Sequence, residues 1–283
     1  MPISPLKSVL ARAFDRGYGV AAFNIVNDLT AQAVVDAAVQ ARAPVILQTS
    51  VKTVRAAGAG VLGAMVRAIA ADAPVPVVLH LDHCPDRAVI TECIQHGWNS
   101  VLFDGSGLDL DDCERQTREV VQEAHARGVD VEGEIEGIKG VEDGVGSDLE
   151  AAVYSIDSSV EFIKATGVDC FAPAIGNAHG MYRSTPSLDA EKVTQIASRA
   201  RVPVVLHGGT GLTDDQFRDL VSRGCAKVNI STGLKRVFIS SSRAYLQENP
   251  DVTEPLRVLA HVRGAVRDMA ARHIRILGAE GQA

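Results

Sequence analysis

Three of the eight histidines, His83, His179 and His207, stand at or just after the ends of short β-branched runs. Neutral imidazoles converging from separate strands make a zinc site that keeps an open position for water or substrate. Any one of the three, taken alone, is more often a hydrogen-bonded structural histidine; three in equivalent places favour a metal. His96, His125, His261 and His273 fall in helical stretches or at their ends and read as surface residues. His80 shares a strand face with Asp82, because side chains alternate along a strand. Asp82 directly precedes His83, so the two point to opposite sides of an ideal strand, and both reach one site only where the strand end twists or breaks. Capping of a helix that begins near Pro85 is the alternative role for Asp82; catalysis is the preferred one. The remaining runs close on Asn24, Ser50, Asp104, Glu134 and Asn229.

Elements must hold these residues together. The runs are Val20 to Asn24, Val45 to Ser50, Val77 to His83, Ser100 to Asp104, Val129 to Glu134, Cys170 to Ala174, Val204 to His207 and Lys227 to Ile230, alternating with helix-periodic stretches such as Asp109 to Arg127. Strands alternating with helices pair in parallel, and right-handed crossovers close them into a (β/α)8 TIM barrel. An open doubly wound sheet is the second choice. With 283 residues, 46% hydrophobic, the chain suits one barrel domain over 1–283. Asp109, Thr213 with Gln216, and Ser187 are the expected helix starts. Glu136 to Asp157, rich in glycine and carboxylates, reads as a long mobile connection placed as an active-site lid. Glu254 to Leu277 reads as a helix bearing Arg257, Arg263, Arg267 and Arg275. Two segments, His207-Gly208-Gly209-Thr210-Gly211 and Asn229-Ile230-Ser231-Thr232-Gly233, follow the last two strands, where barrels commonly cradle phosphate on backbone N–H groups.

Net charge is −7, with Lys and Arg scattered, which is unlike a nucleic-acid binder and leaves small molecules as the expected partners. Five cysteines without a CxxC pair suit a reducing compartment. Met1 to Leu10 has no long apolar run, so neither a signal peptide nor a membrane span is expected, and a cytoplasmic location follows.

The motifs His80-Leu81-Asp82-His83, Val141-Glu142-Asp143-Gly144-Val145, Ile175-Gly176-Asn177-Ala178-His179-Gly180, His207-Gly208-Gly209-Thr210-Gly211-Leu212 and Lys227-Val228-Asn229-Ile230 carry a resemblance over almost the whole chain. In order and spacing they resemble the class II fructose- and tagatose-bisphosphate aldolases. The resemblance implies that His83, His179 and His207 bind catalytic Zn2+, replaceable by Co2+, with Glu134 lining the metal site or an alternative metal position. It implies Asp82 as the group handling the proton on the oxygen at the cleaved bond, and Glu142 as the group exchanging the proton at the enediolate carbon. Asn24, Ser50, Gly180, Arg183, Gly208, Gly209, Thr210, Asn229, Ser231 and Thr232 match phosphate- and substrate-binding positions. It also implies a homodimer or homotetramer. Departures are Glu136 where the family usually has Gly, Asn177 for a common Thr, Gly107 for a frequent His, and Ser231 for a frequent Asp. Glu136 and Ser231 are expected to change polarity where the aldehyde lies.

The expected reaction is reversible cleavage of a phosphorylated ketose into dihydroxyacetone phosphate and an aldehyde. Cleavage beside a ketone leaves an enediolate whose charge a Lewis acid stabilises. A Schiff-base aldolase needs a lysine at a strand end inside the barrel; Lys227 starts its strand, and Lys139, Lys164, Lys192 and Lys235 fall in the lid or in helices. A non-catalytic barrel that binds a metal or a sugar phosphate is the third reading, and Asp82 with Glu142 speaks against it.

Overall fold

The computed structural model describes residues 3–138, 140–142, 145–147, 153–180 and 186–283. The strands are β1 (Val20–Asn24), β2 (Val45–Ser50), β3 (Val77–Cys84), β4 (Ser100–Phe103), β5 (Asp130–Glu134), β6 (Gly140–Glu142), β7 (Val145–Ser147), β8 (Cys170–Ala172), β9 (Val204–Leu206) and β10 (Cys225–Ile230). Eight of them form a closed parallel barrel in the order β1-β10-β9-β8-β5-β4-β3-β2. The TIM barrel expected from the sequence is therefore the fold, and the open sheet is excluded by the β1–β10 ladder, Val20 against Lys227 through Phe23 against Ile230. β1, β2 and β3 are buried on both faces, as the helical outer layer of a barrel requires.

Several run ends lie outside the ladders. Asp104, Pro173, Ala174 and His207 follow their strands. At Ala174 the backbone N–H donates to the Glu136 carboxylate at 2.8 Å rather than to a neighbouring strand, which ends β8 early. Polar groups at the barrel mouth thus replace the last rungs.

Two expected caps stand and one moves. Asp109 accepts from Asp112 N, and Thr213 with Gln216 forms a reciprocal capping box. Ser187 does not start the following helix; Asp189 caps Ala190–Ala200 by accepting from Lys192 N. Asp82 caps nothing: Asp86 accepts from Ala88 N at the start of Arg87–Gln95. The connection after β5 is not structureless, since β6 and β7 pair as an antiparallel hairpin and the helix Ile156–Thr166 already begins within it.

Glu136 departs from its expected role. It is fully buried, its carboxylate accepts from Tyr154 N and Ala174 N at 2.8 Å each, and Lys192 Nζ donates to its two oxygens at 2.7 and 2.9 Å. Lys192 also donates to the carbonyls of Tyr154 and Ala174. One ion pair therefore saturates the backbone where three chain segments meet, and Glu136 has nothing left to offer an aldehyde.

The cap reassignment is testable by chemical denaturation. Asp189→Ala is expected to cost about 1 kcal/mol, whereas Ser187→Ala is expected to stay within about 0.5 kcal/mol. The reverse ranking would restore Ser187 as the cap.

Candidate active site

β3 solves the geometric problem posed by adjacent Asp82 and His83. The β3–β4 register shifts between Leu81 and Cys84, and His83 takes a left-handed φ of 43°, a costly conformation for a side chain larger than glycine. A bulge re-aims one side chain relative to its neighbour. The Asp82 carboxylate and the His83 ring consequently face the same barrel mouth. The His83 ring lies 4.8 Å from that of His179 and 4.5 Å from that of His207, centroid to centroid. Nitrogens of the three histidines all fall within 4.8 Å of one another.

The donor set fits a metal ion. His83 Nδ1 is 3.1 Å from Asp104 Oδ2, and His207 Nε2 is 2.7 Å from Glu132 Oε1. Each carboxylate accepts the ring proton, which leaves the opposite nitrogen as the lone-pair donor, the arrangement that orients metal-binding imidazoles. Those opposite atoms, His83 Nε2 and His207 Nδ1, are buried without a hydrogen-bond partner among the described residues. Buried polar atoms left so are costly unless something else satisfies them. His83, Asp104 and Glu134 form a second group able to hold a cation, and Glu134 Oε2 lies 3.2 Å from His207 Nδ1.

Asp82 is held from two sides: Asn24 Nδ2 donates to Oδ2 at 2.8 Å and Asn229 Nδ2 to Oδ1 at 3.2 Å. Gln48 Nε2 in turn donates to Asn24 Oδ1 at 2.8 Å. Burial works against the Asp82 charge, yet His83, His207 and Lys227 outweigh it and hold the carboxyl below its usual range. Burial raises Glu134 well above the ordinary glutamate range. Burial opposes a charge on His83 as well, but Glu134, Asp82 and Asp104 around it raise its pKa well above that of free imidazole. For His179 and His207 burial dominates, lowering the former to about 4 and the latter well below its usual value.

The two Gly-rich segments meet. Gly209 N donates to Asn229 O at 3.2 Å and Gly233 N to Thr210 Oγ1 at 3.0 Å, so the loops are mutually bonded and these two N–H groups are already engaged. Gly208, at φ 64°, would bring a Cβ within 2.1 Å of Ala178 O, which is why no side chain fits there. Thr232 begins a long helix, Thr232–Glu248, whose N-terminus opens beside these loops with no side-chain cap. Lys235 Nζ donates to Ser231 Oγ at 2.8 Å and brings a positive charge to that corner. Ser50 is buried with no hydrogen-bond partner for its hydroxyl among the described residues. Gly180 lies one residue past His179, at φ 88°. Arg183 lies outside the described residues, and so does the side chain of Glu142.

Sequence reading missed Glu132, Lys227 and Gln48, and left Asp104 without a role. Period-2 alternation carried the signal, since Glu132 shares a face with Glu134, Lys227 with Asn229 and Gln48 with Ser50. Lys227 does not merely start a strand; it is third in β10 and fully buried. Asn177, a departure from the family pattern, donates from Nδ2 to His207 O at 3.0 Å and ties the His179 segment to β9.

An eight-stranded barrel with three histidines and a fixed carboxylate at one mouth is the architecture of a metal-dependent barrel enzyme. Residues 4–282 match the class II fructose-bisphosphate aldolases, and the chain belongs to that family of metal-dependent lyases. It is 38% identical over 277 residues to the D-tagatose-1,6-bisphosphate aldolase subunit GatY of Klebsiella oxytoca, covering 98% of each. It is 34% identical over 278 residues to the sulfofructosephosphate aldolase of Alkalicoccus urumqiensis, covering 98% of this chain and 97% of that one. The YdjI aldolase of Escherichia coli K12 superposes with a TM-score of 0.85 at 30% identity, covering 99% of both chains.

The histidine environments predict the pH dependence of metal uptake. Imidazole binds metal as the neutral base. Burial lowers His179 to about 4 and His207 well below its usual value, which favours their neutral, metal-binding form. The carboxylates around His83 raise its pKa, so it is the one of the three that favours the protonated form. Metal affinity is therefore expected to weaken as pH falls, with His83 giving up its proton on loading. Chelator competition across pH checks this, and a zinc affinity that stays constant as pH falls would contradict it.

Proposed function

We propose that the metal is Zn2+, exchangeable for Co2+, and that residues 1–283 form one domain cleaving a phosphorylated ketose to dihydroxyacetone phosphate and an aldehyde. The observation that carries this reading is the convergence of His83, His179 and His207 beside a carboxylate fixed by two asparagines. A zinc ion held there supplies Lewis acidity toward the ketose carbonyl. Asp82, kept ionised and aimed by Asn24 and Asn229, takes the proton from the hydroxyl at the bond being cleaved. Glu142 exchanges the proton at the carbon of the dihydroxyacetone phosphate half, and Glu134 offers the alternative metal position with Asp104. Asn24, Ser50, Asn229 and Gly180 contact the ketose. Gly208, Gly209, Thr210 and Thr232 surround its phosphate, drawn by the helix N-terminus and Lys235, the family pattern assigns Arg183 to it as well, and Ser231 contacts the aldehyde half.

The aldehyde is proposed to differ from glyceraldehyde 3-phosphate or to extend beyond it. Glu136 no longer supports this, being consumed by Lys192. Ser231 does, because Lys235 occupies its hydroxyl where an aspartate is frequent in the family. Of the relatives named above, one is a D-tagatose-1,6-bisphosphate aldolase subunit and another a sulfofructosephosphate aldolase, so more than one ketose phosphate is represented among them.

A homodimer or homotetramer is also proposed. Arg263 and Arg267 are paired with Asp36 and Asp268 of the same chain, so the arginines are weaker support than the exposed Leu256 and Leu259 on the same helix. Five buried free cysteines support a reducing, cytoplasmic location. Among the described residues no single helix is long and apolar enough to cross a membrane.

Chelation is expected to abolish cleavage and zinc or cobalt to restore it, with no adduct trapped by borohydride; activity in verified metal-free protein would refute the metal mechanism. Asp82→Ala is expected to keep zinc but lose roughly 100-fold or more in kcat, while His207→Ala loses zinc as well. A condensation screen of dihydroxyacetone phosphate against phosphorylated and unphosphorylated aldehydes tests the substrate reading. Strict preference for glyceraldehyde 3-phosphate would contradict the altered aldehyde, and failure with every aldehyde would overturn the donor. Sedimentation at micromolar concentration is expected to show an assembly larger than the 29.9 kDa chain.

A further inference from the structure

Below the metal-binding histidines the barrel interior holds two full charges that the reaction does not consume. Glu132 and Lys227 have no solvent exposure, and Lys227 Nζ lies 2.8 Å from Glu132 Oε2. Burying an ion pair is rarely a gain in stability over apolar packing. Their second contacts reveal another use. Glu132 Oε1 accepts from His207 Nε2 at 2.7 Å, and Lys227 Nζ donates to Asn229 Oδ1 at 2.8 Å. Asn229 Nδ2 then donates to Asp82 Oδ1 at 3.2 Å. A single buried chain thus runs His207, Glu132, Lys227, Asn229, Asp82.

Donor and acceptor roles along this chain admit one solution. A carboxylate only accepts and an ammonium only donates. Glu132 therefore requires the proton of His207 on Nε2, which leaves Nδ1 for a metal. Lys227 requires the amide oxygen of Asn229, which turns its NH2 toward Asp82. The pair sets the tautomer of one group and the amide orientation beside the other, although neither of its members faces the barrel mouth.

We propose that Glu132 and Lys227 are positioning residues that couple the orientation of the metal ligand His207 to that of Asp82. The inference rests on the roles given to His207 and Asp82 in the proposed function. Removing Lys227 should therefore affect both ends: Glu132 loses its fixed place behind His207, and Asn229 loses the partner that aims it.

The test compares Lys227→Met, Glu132→Gln and the double variant, which removes both buried charges. Zinc affinity is read by chelator competition on the metal-free proteins, and kcat and KM are read at saturating zinc. Expected for Lys227→Met are a zinc affinity lowered roughly 10-fold or more and a reduced kcat with KM little changed. In the double variant, thermal stability should recover while zinc affinity and kcat stay low. If the single changes prevent folding, the double variant alone decides. Wild-type zinc affinity and kcat in a stable double variant would show the pair to be structural and overturn the coupling. If only one of the two readouts falls, the groups are not coupled and the inference also fails. Full zinc binding and activity in His207→Ala would instead overturn the functional assignment beneath it.

Discussion

The left-handed turn at His83 is the constraint from which the site follows. In a regular strand Asp82 and His83 would face opposite layers, one inside the barrel and one among the helices. The turn is held on every side: Cys84 pairs with Phe103 beyond the shift, Asp104 N donates to Cys84 O, and Asp104 takes the proton of His83 Nδ1. Strain of this kind persists only where surrounding bonds over-determine it. The same aspartate that fixes the backbone downstream of the turn also orients the ring that the turn produces. Geometry and tautomer at His83 therefore rest on one residue, Asp104.

A barrel interior usually closes on branched apolar side chains. Here the upper interior is polar, with Gln48, His80, Glu132 and Lys227 all fully buried. Such groups are tolerable because each is bonded to another: Gln48 to Asn24, Lys227 to Glu132, and His80 Nδ1 2.7 Å from Ser100 Oγ. The lower cost of neutral imidazole in this setting explains why burial drives His80, His179 and His207 away from the charged form. His83, with Glu134, Asp82 and Asp104 around it, is the exception, its pKa raised and not lowered.

Much of this was legible from residue order. The eight runs named the barrel because alternation of β-branched runs with helical spacing has few other solutions, and polar residues at their ends marked the mouth. The three histidines were found because they recur at equivalent positions. What the sequence could not show was orientation. Glu136 looked like a substrate-facing departure, yet Lys192, 56 residues later, consumes it; no local pattern announces a partner that far away. Ser187 has the type of a cap, yet Asp189 two residues on is the one that caps, because both types accept N–H bonds and only backbone geometry chooses. Glu132 lies inside its run and Lys227 opens its own, so neither stands at a C-terminal strand end, where polar residues mark the mouth.

The ladder that seals the barrel joins β1 to β10, and the helix Pro255–Ile276 lies against Asp28–Ala41. Gly19 N donates to Leu277 O, and Gly281 N to Ala41 O. β1 therefore waits for β10, the last barrel strand in chain order, before both its edges are covered. Until β10 arrives, β1 exposes a row of unpaired backbone groups of the kind that recruit foreign strands. The cover for that edge thus comes from a segment about two hundred residues further along the chain, not from a sequence neighbour.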